Sequence, residues 1–157
     1  MRKSLSLCLA VILVLSSIGF IDTEPVKAAE IETEAASAIL MEASTGKILF
    51  AKDEHKPLPP ASVTKLMTLL VAAEAIEQGR VSLTDKVTAS ELAASLGGSQ
   101  IYLEPGETFT LEEMLIAIAV GSANDACVAV AEHISGTHEA FVAEMNRKAE
   151  ELGCKNT

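Results

Sequence analysis

Between Val63 and Ile76 the sequence is apolar on nearly every side of a helix. Leu66, Met67, Leu69, Leu70 and Val71 leave no polar stripe, the mark of a helix meant to be buried. Whatever this chain folds into must therefore supply cover around that helix. It is predicted to run from about Ser62 to Gln78 and to stop at Gly79. One residue resists the pattern. Lys65 stands three positions after Ser62, and a lysine in such surroundings is costly unless it is paired or gives up its charge.

The flanking sequence indicates what can cover the helix. "ASAILMEASTGKILFAKD", residues 36–53, reads as a hairpin with Gly46 in a tight turn. "EHKPLPP" is polar and Pro-rich and ends the second strand. Residues 82–110 read as loop and short elements, with turns at Gly97-Gly98 and Pro105-Gly106. Thr110 and Glu113 form a capping box for a helix over 111–120. That helix breaks at "GSAND", residues 121–125; another follows over about 125–134, and a last amphipathic helix stops at Gly153. The class is α/β in the α+β sense, two strands followed by a cluster of helices. Two strands alone are marginal in water, and no further strand follows before Thr157. The chain is expected to be the N-terminal part of a longer one.

Ser62 and Lys65, at i and i+3, share one helix face. Burial and the positive helix end both disfavour the ammonium form, so a lowered lysine pKa is expected. A neutral amine there can take the proton of the Ser62 hydroxyl and make it a nucleophile without histidine. The N–H groups at the helix start would face the developing oxyanion. The plainer alternative is a capping serine with an outward lysine, since Ser-x-x-Lys recurs by chance. "GSAND" tips the balance. Ser122 offers a hydroxyl that can relay a proton, and Asn124 a carboxamide that can hold a substrate amide. Ser122 is expected to face the same pocket as Ser62, and Asp125 to cap the next helix.

"PPASVTKLMT", "LGGSQIYLEPGE", "GSANDA" and "ELGCKNT" together resemble the serine D-alanyl-D-alanine carboxypeptidases, the low-molecular-mass penicillin-binding proteins, over essentially all of residues 36–157. The resemblance implies a β-lactamase/transpeptidase-like fold, a helical cluster packed on an antiparallel sheet. It implies Ser62 as acylated nucleophile, Lys65 as proton acceptor, Ser122 as proton relay and Asn124 as substrate ligand. The implied partners are the peptidoglycan stem peptide, which loses its terminal D-alanine, and β-lactams, which acylate the same serine; no cofactor or metal is called for. The family's third motif, Lys-Thr-Gly, does not occur here: "STGK" at 44–47 has another order and lies in the hairpin turn. Nor do these residues hold the family's C-terminal membrane-anchoring segment, so membrane association is expected only through such a segment. Two rivals stay open, a class A-type β-lactamase and a non-catalytic exported cell-wall-binding fragment. Ser-Ala-Asn, where the lactamases carry Ser-Asp-Asn, leans against the first.

The N-terminus points to export. Arg2 and Lys3 precede an apolar run from Leu5 to Ile21, and Val26-Lys27-Ala28 fits a signal-peptidase site. Residues 1–28 are expected to be a signal peptide and 29–157 the N-terminal portion of a catalytic domain, outside the cytoplasm. An uncleaved anchor is the alternative. A net charge of −10 without a basic stripe argues against nucleic acid. Cys127 reads first as a small buried hydrophobe, and a disulfide to Cys154 as the lesser possibility. His55, His133 and His138 are scattered, and no zinc spacing appears.

Overall fold

The computed structural model describes residues 31–155, so the expected signal peptide lies outside the described residues. The described residues divide into two compact units, the first ending at Lys56 and the second beginning at Pro57.

In the first unit, β1 (Ala38–Met41) pairs antiparallel with β2 (Ile48–Lys52), Leu40 opposite Phe50, with an irregular step between Leu40 and Met41. Gly46 takes φ +73° in the turn, a conformation that costs glycine no Cβ clash. Its N–H donates to Glu42 O at 2.9 Å. Lys52 Nζ donates to Thr33 O at 2.8 Å and ties down the segment before β1. Ile39, Leu40, Met41, Ile48 and Leu49 are all exposed.

The second unit begins with a 3₁₀ turn, Ala61–Thr64, that runs directly into α1, Lys65–Glu77. β3 (Lys86–Thr88) and β4 (Thr108–Thr110) make a second, three-residue antiparallel pair, with Val87 opposite Phe109. Between them lies the short α2, Glu91–Ala94, capped by Ser90. Three helices close the unit: α3 (Leu111–Gly121), α4 (Asn124–Ser135) and α5 (His138–Glu151). The capping box at Thr110 and Glu113 is present in full.

The central helix is not the one the sequence singles out. α4 packs against α1, α2, α3, α5 and β3, and Asp125, Ala126 and Val128 to Ala131 are all buried. Around it sit Val87, Leu111, Met114 and Ile118, and a second cluster joins Val71, Ala131 and Phe141. Small residues on α4 allow this close approach, and alanines give little hydropathy signal of centrality. α1 buries only Thr68, Val71, Ala72 and Ala75. Val63 and Leu66 are 63% and 66% exposed, and Leu70 joins them on that side. The apolar circumference is real, but among the described residues only part of it is covered.

Candidate active site

Two tight backbone features bring the polar groups together. Ala61 has φ +48° immediately before Ser62, and Ser122 itself has φ +55° where α3 ends and α4 is about to begin. Left-handed conformations cost a non-glycine residue roughly 1–2 kcal/mol and persist where the surroundings impose them. Here they set the Ser62 and Ser122 hydroxyls against each other. Ser122 Oγ donates to Ser62 Oγ at 3.0 Å, across 60 residues of sequence. Lys65 Nζ donates to Ser62 Oγ at 3.3 Å and to Asn124 Oδ1 at 2.6 Å. All four residues predicted from the sequence therefore meet in one hydrogen-bonded group. No side-chain cap forms at either Pro60 or Thr64, and Ser62 is no helix cap; its hydroxyl faces Lys65 and Ser122 instead. Lys65 is half-buried rather than outward-pointing.

A cavity of about 470 Å³ opens beside this group, lined by Ser62, Lys65 and Asn124 and continuing past Thr68, Cys127 and Phe141. Ser122 Oγ reaches directly to Ser62 Oγ, the hydroxyl that borders this cavity. One correction concerns the oxyanion donors. Val63 N–H already donates to Pro60 O at 3.1 Å, so the expected set of N–H groups at the helix start is reduced by one.

Asn124 is committed at both ends of its carboxamide. Besides accepting from Lys65, it donates through Nδ2 to Gly97 O at 2.7 Å. Its backbone N–H donates to Ser99 O at 2.7 Å. Gly97 takes one of the two Nδ2 hydrogens, and the second remains a donor. Gly98 sits against this amide at φ +83°, where a Cβ would come within 2.9 Å of Nδ2.

The expected cap at Asp125 does not form: α4 starts at Asn124 with Ala123 as its N-cap and no side-chain cap bond, and Asp125 lies inside the helix. It is fully buried and accepts from Ile101 N, Leu103 N and Ala126 N at 2.9–3.2 Å. The sequence marks the turn at Gly97-Gly98 but contains no local sign that the loop after it wraps onto Asp125. Cys127 and Cys154 are free thiols, so no disulfide joins them. Burial pushes the Cys127 thiol up from 9.0 to about 11, against the opposing pull of the Lys65 charge.

Taken as chemistry, the group contains a hydroxyl flanked by an amine and a second hydroxyl, with a carboxamide at hand. It can activate the first hydroxyl and carry a proton through the second. The sequence profile of the D-alanyl-D-alanine carboxypeptidases matches residues 23–157. D-alanyl-D-alanine carboxypeptidase DacF of Bacillus subtilis is 50% identical over 159 residues, which take in 100% of this chain and 41% of that protein. The chain thus spans about two fifths of that relative's length. Among solved structures, penicillin binding protein 5 of Haemophilus influenzae superposes with a TM-score of 0.79 at 35% identity, covering 83% of this chain and 39% of that one. Penicillin-Binding Protein D2 of Listeria monocytogenes, in its ampicillin-bound form, gives 0.71 at 26% identity over 81% of this chain and 50% of its own.

Proposed function

The chain belongs to the D-alanyl-D-alanine carboxypeptidase family, and from that premise we propose that it is the exported, N-terminal part of a serine enzyme that removes the terminal D-alanine of peptidoglycan stem pentapeptides. The observation that carries the proposal is the placement of Ser62 Oγ between Lys65 Nζ at 3.3 Å and Ser122 Oγ at 3.0 Å. In the proposed reaction Lys65, as the free amine, accepts the Ser62 proton while Oγ attacks the carbonyl carbon of the D-Ala-D-Ala bond. The C–N bond breaks as Ser122 passes a proton to the leaving D-alanine nitrogen. The acyl group is left on Ser62, and water hydrolyses that ester and restores the hydroxyl. Asn124 offers its remaining Nδ2 hydrogen to a substrate carbonyl.

A β-lactam presents a carbonyl in the same setting, and the ampicillin-bound Listeria relative supports extending the reading to these drugs. Residues 29–157 alone are proposed to be inactive. The test uses the full-length protein. Ser62→Ala is expected to abolish both labelling by fluorescent penicillin and D-alanine release from a diacyl-D-Ala-D-Ala peptide. Lys65→Ala is expected to come close to that result, because a serine hydroxyl at its ordinary pKa is a weak nucleophile. Fast labelling of the Ser62→Ala protein would place the nucleophile elsewhere. A long-lived adduct marks a carboxypeptidase, and rapid turnover of the drug marks a β-lactamase.

A further inference from the structure

Residues 97–103 form a strap beside Asn124, and the side chain that holds it is Asp125. Its carboxylate takes Ile101 N at 3.2 and 3.1 Å on its two oxygens and Leu103 N at 3.1 Å. Tyr102, between those two clamped amides, has φ +61°. A bulky residue adopts that conformation only where its surroundings impose it. The other end of the strap reaches Asn124: Ser99 O accepts its N–H at 2.7 Å and Gly97 O accepts its Nδ2 at 2.7 Å. Asn124 Oδ1 in turn receives Lys65 Nζ at 2.6 Å. Adjacent residues on one helix therefore grip the two halves of the same strap, one buried and structural, the other at the reacting group.

We propose that Asp125 is a positioning residue for the reaction set out above, on whose reading this inference rests. By clamping Ile101 and Leu103 it fixes Gly97 and Ser99 against Asn124, and so fixes the Asn124 carboxamide against Lys65. Asp125→Asn keeps the shape of the side chain but turns one acceptor oxygen into an NH₂ that faces N–H groups.

A double-mutant cycle tests the coupling, read as the rate of fluorescent-penicillin labelling of the full-length protein carrying Asp125→Asn, Asn124→Ala or both. Asp125→Asn alone is expected to slow labelling about tenfold, the scale of one buried acceptor lost. In the Asn124→Ala background it should add less than about twofold, because the residue through which it acts is gone. Equal effects in both backgrounds would overturn the proposal. Amide hydrogen exchange gives a readout free of any chemistry: Ile101 and Leu103 should exchange about tenfold faster in Asp125→Asn while α5 is unchanged. Unaltered exchange at those two amides would remove the clamp. Absence of labelling in the wild type would defeat the carboxypeptidase reading, and the exchange result would still decide the clamp. Where Asp125→Asn loosens α5 as well, Gly98→Ala replaces it, pressing on the Asn124 amide with the clamp intact. It should slow labelling with Ile101 and Leu103 still protected, and unchanged labelling would count against the proposal.

Discussion

Ser62 is held by geometry rather than by a strong bond. Its contacts at 3.0 and 3.3 Å are ordinary, and the tightest link in the group is Lys65 to Asn124 at 2.6 Å. Asn124 is thus a brace for the lysine, and Asn124→Asp would set a carboxylate against that amine. Nearby, Cys127 gives a cleaner test of the electrostatics. With its pKa near 11 rather than 9.0, its thiolate population at pH 8 is about a hundredfold below that of an unperturbed thiol, and alkylation should lag accordingly. Exposed Cys154 should react first, and mass spectrometry after timed iodoacetamide treatment separates the two sites. The sign for stability follows from a raised acid pKa. The folded state favours the neutral thiol, so this contribution is intact below pH 9 and is lost as pH rises from 9 towards 11. Ser62, Lys65, Ser122 and Asn124 were legible in the sequence because short polar words interrupt apolar helices. Asp125 and Gly98 were not, because their work depends on where a distant loop travels.

Local rules predicted the helices well. The capping box at Thr110 and the stop at Gly79, with φ +68°, stand as expected. Thr110→Ala should destabilise the folded unit by about 1 kcal/mol, measured as a lower denaturant midpoint at unchanged slope. Hydrogen bonds from Thr110 hold the Glu113 carboxyl below its usual range. Its part in the cap is therefore present above the ordinary carboxylate pKa and fades as pH falls through the lowered value, so the penalty for Glu113→Gln should shrink in acid. The pair β3–β4 escaped prediction because three residues carry too little alternation to register. The central place of α4 left no such local sign, because its buried face is built from small side chains, Ala126, Val128, Ala129, Val130 and Ala131, whose close packing only the structure shows. Met114, fully buried against that core, should cost about 2–5 kcal/mol as alanine. Val120, 85% exposed, should change stability by less than about 0.5 kcal/mol as serine.

At the scale of the described residues, exposed apolar side chains gather in groups within each unit as well as singly elsewhere. Within Pro57–Thr157 the α1 face shows Val63, Leu66 and Leu70, and α3 shows Ile116 and Val120. The hairpin of the first unit shows Ile39, Leu40, Met41, Ile48 and Leu49. Exposed apolar patches and open strand edges invite association. A polypeptide of residues 29–157 expressed alone should be helical by circular dichroism, melt broadly and aggregate, and release no D-alanine. A sharp cooperative melt with measurable activity would contradict that. The overall class was legible because two strands and a helical cluster follow directly from periodicity; the covering of α1 was not, because it depends on surfaces rather than on local pattern. The account as a whole turns on one bond, the ester at Ser62. The full-length protein, treated with benzylpenicillin and digested with trypsin, should carry the drug's mass on the peptide of residues 53–65, in which Ser62 is the only serine. An adduct confined to any other peptide, or no adduct at all, would contradict it.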